Sequence, residues 1–582
     1  TRDLSGVHSD HSVSSLTLQQ PPQVMAAINL KKDPPGDRDN MILHRAHFHY
    51  EAEVDTNFGS ILLTAIVATG GLVLGYDFGC VNGLIRSNSF IAVVEGPGET
   101  KISQNNVALV MSILFCGASF GAISGGALGD RLGRKWLIQL SSAVYVVGVS
   151  LQMAVGFYDS ALVLVLIGRL IGGVGVGINS VGTVLYMTET CHSSLRGYLI
   201  AGYQGSVALG LLVATSIAYL VGRDTDISAY RCLVACQFIW PILLAIGVTF
   251  IPESPRHLVN MGRNEEAYTA LDRLRNPKPQ SELNKQRVGM ELSEIYFSHE
   301  TGLGPERVSF QELVKEWLCA RVKGIARTPH RRIHPLSFGV FLHTMYQCTG
   351  INFIMLSLPS LAESDEALSD PLVIALVFSF VRLCATPMYM LIFRKLGQRR
   401  TLFFGALVVS SCHFLTAIVG MAVGLTHEEF VVNRVQLVFM ALLLFLVASS
   451  WAPAVWIITG EIPCTATRSR DIGISAGVHW LWAVFASVYT PYLIEIEWVR
   501  RSAIFLLFAF LSLGSCLFAY YFVPETSRLF LEYIEVIIQE SDPRVTREWK
   551  PSDTFGWRRD PRTEVKHCRV PRVRKRWTSL RE

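Results

Sequence analysis

The sequence predicts an all-α membrane protein whose twelve transmembrane helices form two six-helix halves. Three observations carry that expectation. Apolar residues make up 50% of the 582 positions and charged residues 17%, and mean hydropathy is +0.35, too apolar for a soluble chain of ordinary surface charge. Twelve apolar runs approach the ~20 residues that cross a bilayer. Charged motifs after the first six runs return, in the same order, after the second six.

The elements follow in chain order. Residues 1–57 are a polar tail, and the first apolar run lies beyond them, so no signal peptide is expected near the start of this sequence. The first half, residues 58–255, holds the spans Gly59–Cys80, Val107–Gly129, Trp136–Val155, Ala161–Thr188, Gly197–Val221 and Leu233–Ile251. A polar linker, residues 256–334, carries two amphipathic helix patterns, Glu265–Arg275 and Ser309–Val322. The second half, residues 335–525, holds Leu336–Leu358, Pro371–Phe393, Leu402–Val423, Val435–Thr459, Ile472–Ile494 and Ala503–Val523. The tail, residues 526–582, opens with a helical pattern over Ser527–Glu540 and continues into a stretch rich in Pro and charge.

Orientation follows from the basic residues. With both termini cytoplasmic, the inner loops hold Arg131, Arg134, Lys135, Arg196, Arg394, Lys395, Arg399, Arg400, Arg468 and Arg470, and the outer loops are poor in base, Arg500 and Arg501 excepted. The repeat is specific. Arg131-Leu132-Gly133-Arg134-Lys135 returns 264 residues later as Lys395-Leu396-Gly397-Gln398-Arg399. Glu189 with Arg196 returns as Glu461 with Arg468, and Pro252-Glu253-Ser254 as Pro524-Glu525-Thr526, both offset by 272. A duplicated six-span unit is the layout of an alternating-access carrier. Glu189 or Glu253, paired across the halves with arginines of the two glycine turns, would close an inner gate; the bland alternative is snorkelling charge that only sets topology.

Other classes fall away. Net charge is +5, and no aromatic platform with basic interleaving points to nucleic acid. The twelve cysteines are scattered through apolar runs without zinc spacing, so no metal site is expected, and Cys232 and Cys236 read as packing thiols. No P-loop and no nucleophile–base constellation is present, so neither catalytic residues nor a cofactor is expected. The basic run Lys566–Arg576 reads as a topology signal that can also touch anionic membrane lipid.

Several strings resemble the sugar porter family of the major facilitator superfamily, in its fungal hexose transporter and glucose sensor branch. They are Gly75-Tyr76-Asp77, Asp130 to Lys135, Gly168-Arg169, Arg196-Gly197, Pro252-Glu253-Ser254-Pro255-Arg256, Gln347 to Asn352, Trp456 with Glu461, Trp480-Leu481-Trp482 and Pro524-Glu525-Thr526. The resemblance spans roughly residues 59–540 and implies the major facilitator fold. It also implies a monosaccharide, most simply a hexose, as substrate, bound mid-membrane by Gln204, Gln347, Asn352 and Trp456, with Trp480 beside them. Amides suit vicinal hydroxyls, because each offers both donors and acceptors. By the same resemblance Asp77 and Arg169 are the candidates for proton coupling, leaving symport and facilitated diffusion both open. Asp130, Arg131, Arg134, Glu189, Arg196, Glu253, Arg399, Glu461 and Arg468 are the gate residues, and the plasma membrane is the expected location.

The sequence departs from the family pattern at telling places. One amide of the seventh span is Tyr346, the asparagine expected before Trp480 is His479, and Arg382 stands where the eighth span carries an asparagine. Arg394 replaces an acid and Gln398 an arginine in the second glycine turn. A guanidinium near mid-membrane costs about 2.5–3.5 kcal/mol if unpaired. Arg382 has three readings: a carboxylate-binding group, a partner of Asp77 across the cavity, or a hydroxyl donor in place of asparagine. Two further functions therefore stand beside the hexose carrier. One is a transport-poor glucose sensor that signals through its tails to a cytoplasmic partner; the other is a carrier of a sugar acid.

Overall fold

The computed structural model describes residues 58–85, 87–96, 101–154, 161–221, 227–275, 282–301, 335–363, 371–424, 429–494, 498–527, 529–540 and 546, and every regular element among them is a helix. Lipid offers backbone groups no hydrogen-bond partner, so spanning segments must satisfy their own, and helices do so. Both expected tails (the latter beyond residue 540, except 546), the basic run Lys566–Arg576 and the Ser309–Val322 pattern lie outside the described residues.

In the first half, α1 (Phe58–Ala68) and α2 (Gly70–Leu84) form one span interrupted at Thr69, whose hydroxyl donates to Ile66 O at 2.6 Å. A short α3 (Asn88–Val94) precedes α4 (Gln104–Leu132), α5 (Arg134–Met153), α6 (Ala161–Thr190) and α7 (Ser193–Val221). The sixth span is α8 (Ile227–Ala235), one 3₁₀ turn and α9 (Ile239–Thr249). Three polar-segment helices follow: α10 (Pro255–Asn260), α11 (Asn264–Arg275) and α12 (Glu282–Thr301). Of these α11 matches the amphipathic pattern expected there, whereas α12 was not anticipated. Leu258, Val259, Ala267, Leu271, Val288, Leu292 and Ile295 give the three a small core of their own.

The second half comprises α13 (Pro335–Gln347), α14 (Ile351–Glu363), α15 (Pro371–Leu396), α16 (Gln398–Gly424), α17 (Glu429–Ala448), α18 (Trp451–Glu461), α19 (Arg468–Ile494) and α20 (Trp498–Phe522), followed by α21 (Leu531–Glu540). The expected Ser527–Glu540 helix thus starts four residues late. In the stretch before it the Leu529 carbonyl accepts from Arg196 of α7.

Eleven stretches among the described residues are long and apolar enough to cross a membrane. The expected span Leu336–Leu358 is not one of them, because it is broken into α13 and α14 at Cys348–Gly350, with Gly350 at φ 75°. A span broken within its length is the usual pointer to a mid-membrane binding site.

Close helix contact comes from small residues. A Cβ on Gly117 or Gly121 of α4 would strike the backbone of α6, and one on Gly173 or Gly177 of α6 would strike α4. This is the small-residue packing that membrane helices use. The halves meet where α4 lies on α19 and α7 on α15 and α18. On the outer surface Phe120, Leu220 and Val438 are 71%, 76% and 70% exposed, as a lipid-facing rim requires.

Candidate functional site

The break in the seventh span builds a polar centre. After α13 the chain turns, with Gly350 N donating to Gln347 O at 3.0 Å and the Thr349 hydroxyl to Tyr346 O at 2.6 Å. The carbonyl of Thr349 meets His413 Nε2 of α16 at 3.0 Å. The turn carries Gln347 and Asn352 to the same place, where Asn352 Nδ2 donates to Gln347 Oε1 at 2.7 Å. That bond orients the Gln347 amide, so its nitrogen donates to His479 O at 3.2 Å and toward His479 Nδ1 at 3.4 Å.

Proton bookkeeping then runs through two imidazoles. With His479 Nδ1 accepting, His343 Nδ1, 3.2 Å away, is the donor, and His343 Nε2 accepts from the Thr459 hydroxyl at 3.1 Å. His479 keeps Nε2–H to donate. The chain Thr459–His343–His479–Gln347–Asn352 joins α18, α13, α19 and α14, and it leads from two residues before Glu461 to the centre.

Aromatic rings enclose it. Tyr346 stacks on His479 with centroids 5.5 Å apart, and Trp456 meets His343 and His479 edge-on at 5.1 and 5.2 Å. Trp480 lies 5.0 Å from His479, stacks on Phe115 of the first half, and its Nε1–H reaches Ser180 Oγ at 3.3 Å. From α7, Tyr203 contacts Trp456 at 6.4 Å, and its neighbour Gln204 is buried. The structure therefore brings Tyr346, Gln347, Asn352, Trp456 and Trp480 together. His343 and His479 are the members that sequence reasoning left out of the site. An ionisable residue inside a span was the available signal.

Arg382 sits on α15 between Ser379 and Thr386, which face α7: the Thr215 hydroxyl donates to Ser379 Oγ at 3.2 Å, and Gly205 packs on Thr386. The guanidinium turns toward the broken span and donates to the Met355 sulfur at 2.7 Å. It forms no salt bridge among the described residues, so the pairing with Asp77 entertained from the sequence is not made. Asp77 has other company. Arg169 Nη2 lies 3.7 Å from Oδ2, while Tyr145 and Gln237 donate to Oδ1 at 3.2 and 3.3 Å. Asp77 Oδ2 and Arg169 Nη1 are buried without a hydrogen bond. Beside the Arg169 pocket a cavity of about 10 Å³ is lined by Phe78, Asn82 and Leu356.

At the end of the bundle where α10–α12 pack, hereafter the linker side, the motif residues form two similar clusters. In the first half Arg134 holds Glu189 through Nε at 2.9 Å and Nη2 at 3.0 Å, and the Ser254 hydroxyl donates to Glu189 at 2.5 Å. In the second half Gln398 and Thr526 donate to Glu461 at 3.2 and 2.6 Å. Glu253 accepts the backbone N–H of Arg134 at 2.9 Å, and Glu525 that of Gln398 at 3.0 Å. Each carboxylate caps a helix whose preceding glycine, Gly133 at φ 92° or Gly397 at φ 81°, has no side chain to do so. Burial pushes the Glu253 carboxyl above its ordinary value, against the pull of these N–H groups.

The expected partners across the halves need correction. Glu189 and Glu253 hold the glycine turn of their own half. The halves are joined by Arg196 Nε–Glu461 at 2.7 Å, Arg256–Glu532 at 2.8 Å ties the linker to the C-terminal helix α21, and Arg196 Nη2 donates to Leu529 O at 2.9 Å. Arg468 is buried beside Glu189, mirroring Arg196. Asp130 is half-exposed and 3.5 Å from Arg134, Arg131 is exposed, and Arg399 lies over Tyr520 within its own half.

Comparison with known proteins identifies the family and the fold. A family model described as "Sugar (and other) transporter" matches residues 63–538. A Neurospora crassa protein described as a probable glucose transporter, rco-3, is 30% identical over 86% of this chain and 83% of its own length. The low-affinity glucose transporter HXT3 of Saccharomyces cerevisiae is 26% identical over 84% of each chain. The high glucose sensor RGT2 of the same yeast is 28% identical over 84% of this chain and 61% of its own. Among solved structures, the major facilitator proton:xylose symporter XylE bound to 6-bromo-6-deoxy-D-glucose superposes with a TM-score of 0.69 at 22% identity, covering 82% of this chain and 98% of that one.

Proposed function

The chain belongs to the sugar transporter family, and from that premise we propose that it carries a monosaccharide, a hexose, across a membrane by alternating access. The observation that carries the reading is the oriented amide pair Gln347–Asn352 with His479, set in a broken span between the halves and flanked by Trp456 and Trp480. Amides and an imidazole N–H answer sugar hydroxyls, and the indole rings answer the apolar face of a pyranose. Arg196–Glu461 joins the two halves and Arg256–Glu532 the linker to the C-terminal helix, so they hold the linker side closed and must part when the site opens there. The linker side faces the cytoplasm, a reading that rests on the basic residues gathered at that side, and the plasma membrane is the location the family resemblance implies.

Asp77 is a buried carboxylate with a single cation and an unbonded oxygen, which suits a group that takes up and releases a proton. A receptor that signals through its tails is not favoured: two of the three relatives named above are described as transporters. The test is radiolabelled D-glucose uptake in cells lacking their own hexose carriers, with and without a protonophore. Saturable uptake, reduced about tenfold or more by Gln347→Ala, is the expected result. Collapse with the protonophore makes the protein a proton symporter, with Asp77 the candidate coupling group, and indifference makes it a facilitator. No saturable uptake by a well-expressed native chain overturns the proposal.

A further inference from the structure

Among the described residues no carboxylate pairs with the Arg382 guanidinium. Arg382 lies within electrostatic reach of Tyr346, which stacks on His479 beside Gln347 and Asn352, and it is the one fixed charge in that group. Arg382 lies mid-helix on α15, flanked one turn to either side by Ser379 and Thr386, which pack against the first half. It is therefore at the boundary that a substrate must cross. Its hydrogen-bond partner is the thioether of Met355, a weak acceptor. The carboxylate in the neighbouring first-half pocket is already held by Arg169, Tyr145 and Gln237. A guanidinium kept at this depth without an anion is costly, and its planar fork fits a carboxylate bidentately.

We propose that the substrate of this site is a monosaccharide bearing a carboxylate, a uronic or aldonic acid, with its carboxylate on Arg382 and its hydroxyls on Gln347, Asn352 and His479. The inference rests on the monosaccharide reading above and narrows it to an anionic class. Met355 then serves as the swinging contact: its flexible thioether gives way to the incoming carboxylate. Tyr346, stacked on His479 and within electrostatic reach of Arg382, stands between the charged and the hydroxyl-binding ends, where its phenol can donate to either part of the ligand. The sugar acid brings the counter-charge with it, so the loaded cleft is neutral while it moves and the empty one is not. That difference favours closure around the anion over closure around an uncharged hexose.

The experiment is equilibrium binding of radiolabelled D-glucuronate to the purified full-length chain at constant ionic strength, displaced by D-glucose and by the methyl ester of D-glucuronate. The ester keeps the size and hydroxyls and removes the charge. Saturable binding is expected, with the acid displacing about tenfold or more better than its ester. Arg382→Gln should collapse that ratio to about one, and Arg382→Lys should leave it between, since the charge stays and the fork is lost. No glucuronate binding, or an ester that competes as well as the acid, overturns the inference. If Arg382→Gln does not fold, the acid-to-ester ratio of the native chain and the Lys variant still decide. Binding is independent of transport: glucuronate bound at Arg382 without glucose uptake would sink the hexose-carrier reading alone, and glucose uptake without glucuronate binding would sink this one alone.

Discussion

Removing either side of the buried pair between the halves should open the linker side, and two native thiols can report it. Arg196 and Glu461 are each 2% exposed at the side chain and 2.7 Å apart, and Arg196 also donates to Leu529 O. Hydrogen bonds to charged groups contribute about 1.5–3 kcal/mol each, net of their exchange with water. Losing them in Arg196→Ala should disfavour the closed linker side by about 3 kcal/mol, roughly a hundredfold in the closed-to-open ratio. Cys191 and Cys464 lie at this gate, 5% and 4% exposed. Burial pushes the Cys191 thiol up to about 12 from 9.0, so its thiolate fraction is roughly a thousandfold below that of an open thiol. The assay is the rate of N-ethylmaleimide modification at each cysteine in native membranes, read by peptide mass spectrometry, with the fully buried Cys80 of α2 as the control for unfolding. Arg196→Ala and Glu461→Ala should each accelerate Cys191 labelling by tens-fold and leave Cys80 unchanged. The double variant should be no faster than the faster single one, because the pair is lost once. Unchanged labelling in both single variants would refute the gate assignment, and accelerated Cys80 would mean unfolding rather than opening.

Three further outcomes follow from the same geometry. His257 Nδ1 is 2.7 Å from Arg134 Nη1 and must accept from it, and burial with that cation holds the imidazole down at about 4 against 6.5. Below pH 6.5 the unfolded chain then binds the proton that the folded chain refuses, so stability falls between pH 6.5 and 4 by up to about 3 kcal/mol; thermal unfolding across that range should lose this slope in His257→Asn. Asp77→Asn alone strands a buried guanidinium and should destabilise by about 3–5 kcal/mol, and adding Arg169→Gln should recover much of the melting temperature, whereas a double variant no more stable than the single would deny the pairing. Gly262→Ala has φ 75° and open space around a new Cβ, so about 1 kcal/mol of backbone strain is expected; Gly397→Ala would also set its Cβ 2.5 Å from Glu525 Oε2 and displace the cap of α16, costing about 3 kcal/mol, and equal melting temperatures for the two would refute that capping role.

Much of the bundle was readable because lipid imposes a one-dimensional rule: a crossing needs about twenty apolar residues whatever they pack against. The span from Leu336 to Leu358 escaped it, since the turn at Cys348–Gly350 depends on a left-handed glycine seated on Phe508 and on His413 taking the Thr349 carbonyl. The site was partly readable too. Gln347 and Asn352 are five residues apart, near enough for sequence to place them on one turn, but His343 and His479 are joined across 136 positions. The charged residues of the linker side were legible as repeated motifs, while their partners were not, and the pairing of Glu189 with Arg134 inside one half had no trace in the repeat itself.

The sequence by itself determined the membrane class, the duplication and the identity of the polar groups, because hydropathy and repeated motifs are properties of order along the chain. Only the tertiary structure decided which charges meet. A salt bridge or an imidazole pair depends on distances of about 3 Å between helices hundreds of residues apart, and those distances are set by small-residue packing of α4 on α6 and of one half on the other. For that reason one repeated arginine joins the halves, as Arg196 does to Glu461, while another clamps the glycine turn of its own half, as Arg134 does with Glu189.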